Sequence, residues 1–201
     1  MTLTAVQVFM YGCRCVVFHR EEVLKNKTIR LGIISVIISL LLAGIDQLTK
    51  WLVVTYLKPI ESVSLIKMGD KEWLNLTYCE NTGMSFSLLE GYRVVLIILP
   101  IILIGLVEWY IFSGKVKTKP MLFALAALAG GGFGNLIDRV FLGYVVDFID
   151  VKIINFAIFN FADICAVLGG IFTVIFFLLE DSKDKKEEPP GTEGKEEKAD
   201  E

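Results

Sequence analysis

Four stretches of the chain, residues 31–57, 93–112, 121–137 and 156–179, are apolar over lengths that match the hydrocarbon thickness of a bilayer. A helix rises about 1.5 Å per residue and the bilayer core is about 30 Å thick, so roughly twenty apolar residues cross it. Within hydrocarbon every backbone N–H and C=O must find its partner inside the protein, and a continuous apolar run does this as a helix. The fold expected is a mainly α membrane protein with four transmembrane helices. Composition agrees: 54% of the 201 residues are hydrophobic, and the mean hydropathy is +0.61, high for a soluble domain.

The segments between the spans differ in kind. Residues 58–91 show short-range alternation around a turn signal at Met68-Gly69-Asp70-Lys71, which predicts a small extracytoplasmic β region between spans one and two. Asn75-Leu76-Thr77 within it matches a glycosylation acceptor, a pattern frequent by chance. Residues 1–30 place a weak apolar patch before most of their basic residues, the reverse of a cleavable signal peptide, and read as a cytoplasmic leader. Translation starting nearer Leu24 is the alternative. Residues 180–201 are charged and nearly free of apolar side chains, so they are expected to be a disordered, solvated cytoplasmic tail. Residues 31–179 then form one four-span domain. Small residues repeat every four positions at Ala126, Gly130 and Gly134 and again at Ala162, Ala166 and Gly170, which predicts closely packed third and fourth helices.

Basic residues precede span one, occupy the loop 113–120 and follow span four at Lys183, Lys185 and Lys186. By the positive-inside rule both termini are cytoplasmic, and loops 58–92 and 138–155 lie outside. This topology sorts the polar residues by depth. Asp46 lies about 22 Å along span one, and span three delivers Asn135, Asp138 and Arg139 to the outer boundary. Asn160 and Asp163, at i and i+3, begin span four, and Asp147 belongs to the outer loop. Ionisable groups at a membrane edge are costly unless paired or hydrated, so their convergence at one depth reads as a functional site. Asp46 and Lys50, at i and i+4, share a helix face and can pair.

Several classes of function are disfavoured. The net charge of -3 arises mostly in the tail, and no basic surface suggests a nucleic-acid partner. Four cysteines and the single His19 make no metal-ligand pattern, and no cofactor is implied. Because the outer site lacks a histidine, a Ser-His-Asp or Cys-His mechanism lacks its base. Two facing aspartates can share one proton, the ionised member activating water while the other polarises a carbonyl. Which two of the carboxylates pair is open at this point, and a cation site built from several aspartates is an alternative.

Five motifs occur in order: D-Q-L-T-K (46–50), E-N-T-G-M-S-F (80–86), G-N-L-I-D-R (134–139), V-V-D-F-I (145–149) and F-N-F-A-D (159–163). In this the chain resembles the lipoprotein signal peptidases, or signal peptidase II, from about residue 31 to 179. The resemblance implies an intramembrane aspartyl endopeptidase of the bacterial cytoplasmic membrane that uses no cofactor. Its substrate would be a prolipoprotein with a diacylglyceryl cysteine, cut immediately before that cysteine, near the outer leaflet and among membrane lipids, by a monomer. By motif position the catalytic pair would be Asp147 and Asp163. Asn81, Gly83, Asn135, Arg139, Asn160 and Ala162 would bind substrate or support the pair, and Asp46, Lys50 and Asp138 would be structural polar residues. Residues 58–91 would form the family's β-cradle. Met84 departs from the small residue usual after N-T-G, and Asp150 receives no role. The competing readings are an ion-carrying transporter component and a lipoprotein-binding assembly factor without catalysis. The G-x-G-D motif of other intramembrane aspartyl proteases is absent, since Asn135 follows Gly132-Phe133-Gly134.

Overall fold

The computed structural model describes the backbone of residues 5–83, 92–154 and 156–187, and side chains between 25 and 180 within those ranges. Met84 and the tail beyond 187 lie outside the described residues. The described residues form four helices, α1 (Ala5–Leu52), α2 (Arg93–Phe112), α3 (Lys119–Phe141) and α4 (Phe161–Glu187), and three strands, β1 (Ser62–Met68), β2 (Lys71–Asn81) and β3 (Val145–Val151), in the order α1-β1-β2-α2-α3-β3-α4. Each helix contains a segment long and apolar enough to cross a membrane. Large apolar side chains such as Leu41, Val94, Phe141 and Leu178 stand exposed around the bundle, as lipid-facing positions must when the solvent is hydrocarbon.

The third helix is the central one. Its most apolar window is 56% buried, against 22, 11 and 17% for those of α1, α2 and α4. Glycines make this possible. A Cβ on Gly131 would run into the carbonyl of Ala162 and lie 2.6 Å from the Ala166 nitrogen, and one on Gly169 would lie 2.7 Å from the Ala124 carbonyl. These contacts join α3 to α4 almost backbone to backbone. Gly130 faces α1 instead, with Ser39 and Leu42 at 3.0 Å from the same construction, and Gly170 has only a side-chain atom at 4.0 Å. The packing expected from the small-residue repeats is present: Ala162 and Ala166 of the α4 repeat meet α3, although at Gly131, one residue beyond the repeat position Gly130, and at the far end Gly169 takes the place expected of Gly170.

The outer end of the first span is a π-helical turn, Val53–Leu57, and a 3-10 turn, Lys58–Ile60, carries the chain one turn beyond the expected end. Val53 and Leu57 are both buried there, in a cluster with Val146 and Phe148 of β3, so this end of α1 is tied to the sheet by apolar burial. A second cluster, Ile111, Val116, Met121, Leu122 and Leu125, closes the opposite end of the bundle.

The hairpin β1–β2 turns at Gly69 and Asp70, with Met68 paired to Lys71 and Gly69 at φ 61. That positive φ is free of penalty only for glycine. The sheet has a third strand, in the order β1-β2-β3, all antiparallel. Residues 145–151 were expected as plain loop, but their near-continuous apolar pattern suits a strand buried against the end of the bundle. The fourth helix starts at Phe161, five residues later than the apolar run suggests. Phe159 exchanges backbone hydrogen bonds with Ile149 at 2.8 and 3.1 Å, so the first residues of that run extend the sheet instead. Asn75 of the acceptor-like triplet is buried, its amide donating to Glu72 at 2.7 Å.

Candidate active site

The polar residues meet where α1, α3, α4 and the sheet converge. At the base of the site is an ion cluster. Lys50 Nζ lies 2.8 Å from Asp46 Oδ2 and 2.9 Å from Asp138 Oδ2, all three side chains being under 5% exposed. Buried charges are tolerated only when paired and fully hydrogen-bonded, and these are. Asp46 Oδ1 accepts the N–H of Ala162 at 3.0 Å, Asp138 Oδ2 accepts that of Val146 at 3.1 Å, and Asp138 Oδ1 accepts Gln47 Nε2 at 2.8 Å. One carboxylate therefore fixes the first turn of α4 and the other fixes β3 beside Asp147. Asp138 pairs with Lys50 on another helix and not with its neighbour Arg139. Ala162 has its place because Gly134 and Asp46 leave room there for one methyl group: a Cβ on Gly134 would lie 2.6 Å from Asp46 Oδ2 and 3.1 Å from the Ala162 methyl.

Above the ion cluster lies a layer of amides. Asn135 Oδ1 accepts from Lys50 Nζ at 2.9 Å and from Asn160 Nδ2 at 2.9 Å, and its Nδ2 donates to Asp163 Oδ1 at 2.7 Å. Asn160 Nδ2 also donates to Asp147 Oδ1 at 2.7 Å, while Asn81 Nδ2 takes the other oxygen, Oδ2, at 2.8 Å. Both oxygens of Asp163 are engaged too, since Oδ2 accepts the Asn160 N–H at 3.0 Å. The two aspartates, 16 residues apart in sequence and on different elements, thus hang from the same asparagine. A register shift between Leu76 and Cys79 sets Asp147 opposite Cys79; such bulges re-aim side chains beside functional sites.

Asp147 is 2% exposed. Burial is the main cause that pushes its pKa up to about 6; the Asn81 and Asn160 amides pull it down, and the nearby charge of Asp163 adds to the rise. Asp147 is also faced by Lys50 from α1, Arg139 from α3 and Cys79 from β2. Two neighbouring carboxyls, one of them with its pKa raised to about 6, can share a proton and divide acid and base roles.

Arg139 closes the side toward the β2–α2 connection. Its Nη2 donates to the Gly83 carbonyl at 3.0 Å, and the Gly83 N–H donates to Asn81 Oδ1 at 3.0 Å. The Nε of Arg139 is buried and meets no acceptor among the described residues.

Comparison with known proteins identifies the family. The sequence model of Signal peptidase (SPase) II matches residues 37–179. The chain belongs to the signal peptidase II family. It is 39% identical over 137 residues to the lipoprotein signal peptidase of Caldanaerobacter subterraneus subsp. tengcongensis, covering 68% of this chain and 90% of that one. With the lipoprotein signal peptidase of Enterococcus faecalis it shares 36% over 163 residues, 81% of this chain and 98% of the relative. A solved bacterial membrane enzyme, determined by the in meso method, superposes with a TM-score of 0.67 at 33% identity, covering 78% of this chain and 94% of that one. As a family member the chain is a peptidase and a bacterial membrane protein.

All eleven residues singled out from the sequence fall within this one network. Two further participants were not singled out. Gln47 bridges Asp138, the Gly134 carbonyl at 3.1 Å and Asp46 at 3.3 Å; its position next to Asp46 in D-Q-L-T-K was the available signal. Asp150, left without a role, is buried, accepts Thr77 Oγ1 at 2.9 Å and pairs with Lys152 at 2.7 Å. It anchors β3 to β2 on the strand that carries Asp147.

Proposed function

We propose that this signal peptidase II cleaves prolipoproteins by aspartate-activated water, with Asp147 and Asp163 as the catalytic pair. The observation that carries the reading is Asn160, which holds one oxygen of each aspartate through its side chain and its own N–H. A water between the two carboxyls gives a proton to the ionised member and attacks the scissile carbonyl. The protonated member donates a hydrogen bond to that carbonyl oxygen and stabilises the charge that develops on it. Collapse of the tetrahedral intermediate returns a proton to the leaving amine, and the pair regains its starting state.

Asn81, Gly83, Asn135, Arg139, Asn160 and Ala162 bind the substrate backbone or orient the pair in this reading. The buried Nε of Arg139, without an acceptor among the described residues, is a donor suited to a substrate carbonyl. Asp46, Lys50 and Asp138 serve as the buried footing. Both termini are cytoplasmic, the sheet lies outside, and the site works near the outer leaflet, where a diacylglyceryl cysteine can present its acyl chains between the spans. The protein acts as a monomer without cofactor.

The decisive experiment is cleavage of a diacylglyceryl-modified precursor by the purified protein and by Asp147→Asn and Asp163→Asn. Each variant should remain folded and lose essentially all turnover, and an unlipidated precursor should be cut far more slowly. Substantial activity in either variant would overturn the assignment of the pair.

A further inference from the structure

Arg93 is the first residue of α2, a position where a positive charge opposes the helix dipole. Its contacts lie elsewhere. Nε donates to the Arg139 carbonyl at 3.1 Å and Nη2 to the Val140 carbonyl at 3.0 Å. Both belong to the last turn of α3, whose carbonyls have no partner within the helix, and there a guanidinium is favoured by charge as well. The N–H groups of Leu142 and Gly143 take the Asp138 carbonyl of the same turn at 2.7 and 3.2 Å. Gly143 then reverses the chain at φ 88, with a Cβ position only 3.3 Å from Arg93 Nη1, and β3 with Asp147 follows.

The clamped turn is also the one from which Arg139 reaches the Gly83 carbonyl. Gly83 holds Asn81, and Asn81 holds Asp147 Oδ2. Arg93 therefore sits at the head of two routes to the same carboxyl, one through β3 and one through Arg139, Gly83 and Asn81. We propose that Arg93 is a positioning residue of the active site, fixing the last turn of α3 so that Arg139 and Asp147 keep their places. The inference rests on Asp147 and Asp163 being the catalytic pair.

The test compares the full-length wild type with Arg93→Ala and Arg93→Lys on the diacylglyceryl-modified precursor, with Asp147→Asn and Asp163→Asn alongside. Arg93→Ala should lower kcat/KM roughly ten- to a hundredfold, the scale expected for a slight misplacement of catalytic groups, with a melting temperature close to that of the wild type. It should also move the alkaline limb of the pH profile upward, because loosening the Asn81 bond withdraws a contact that favours the Asp147 carboxylate over its acid. Lys50, Cys79, Asp138, Arg139 and Asp163 face the same region and are unaltered in this variant. Arg93→Lys, which keeps the charge and one donor direction, should recover part of the loss. Wild-type kcat/KM with an unmoved limb would overturn the proposal. So would inactivity accompanied by a collapsed melting temperature and no recovery in Arg93→Lys, which would make Arg93 a residue of the fold alone. Activity surviving in either aspartate variant would instead refute the catalytic pair on which the inference stands.

Discussion

Asn160 and Asp163 cap each other: the N–H of Asn160 donates to Asp163 Oδ2 at 3.0 Å, and the N–H of Asp163 donates to Asn160 Oδ1 at 3.0 Å. This is the reciprocal arrangement of a capping box, with the acidic residue three positions into the helix. Here the same residues that start α4 also build the site. The start of the last span and the placement of the carboxyl are one structural event.

Replacement of Asn160 should therefore be felt twice. Asn160→Ala removes the cap, worth about 1 kcal/mol of stability, and frees one oxygen of Asp147. Turnover should fall by roughly a hundredfold, more than the modest loss in melting temperature alone would produce. Thermal unfolding and steady-state kinetics on one preparation separate the two effects.

The raised pKa of Asp147 gives the pH profile a direction. Below about 6 the buried carboxyl of Asp147 keeps its proton, and above it that proton is lost. Activity in kcat/KM should fall as pH rises through this value, and the limb in kcat should lie higher because bound substrate excludes more water. A profile in which kcat/KM rises through pH 6 to 8 would contradict the shared-proton mechanism.

Stability follows the same group. Because the folded pKa lies above the unfolded one, the folded protein binds the proton more tightly, and stability from this source is lost as pH rises from about 4 to about 6. The loss is about 3 kcal/mol for a shift of about two units. Relative to Asp147→Asn, the wild type should lose melting temperature across that interval.

The ion cluster should be intolerant of losing its cation. Lys50→Met leaves Asp46 and Asp138 buried and facing each other, a change on the order of 3–5 kcal/mol. Lys67→Met, which breaks an exposed pair with Glu72, should change stability by less than about 1 kcal/mol. Parallel thermal melts in one detergent compare them directly.

Helix contact offers a similar contrast. Gly131→Ala drives a methyl group into the backbone of α4, whereas Gly44→Ala meets nothing within 4 Å. The first should cost about 1–3 kcal/mol, and the second should be neutral or slightly stabilising, since alanine is the better helix former. Equal effects would mean that α3 and α4 are less tightly joined than described.

Much of this molecule was legible because membranes impose strict arithmetic. Four apolar runs gave four helices, and depth along them gathered Asp46, Asn135, Asp138 and Asp163 before any contact was known. The third strand was not legible. V-V-D-F-I-D-V is short and mostly apolar, a pattern that periodicity alone cannot assign, and its partner β2 lies far upstream. The mate of Asp138 was hidden for the same reason: Lys50 is 88 residues away, while Arg139 is adjacent. Helix faces were half legible, since a four-residue repeat marks close packing but not whether Gly130 or Gly131 meets α4. Asn75 matched a modification triplet by letters alone, and burial removes it from reach.

The third strand has a consequence for how the protein is made. β2 emerges early in synthesis, yet its partner for Asn75 is Asp150, and the strand carrying Asp147 is separated from β2 by two complete membrane spans. The β1–β2 hairpin must wait without its third strand while α2 and α3 are made, and only the start of α4 brings Asn160 to both aspartates. A nascent chain halted before that point has one carboxyl and no companion for it. With Asp147 and Asp163 as the proposed catalytic pair, proteolytic competence is deferred until the start of α4 has been made.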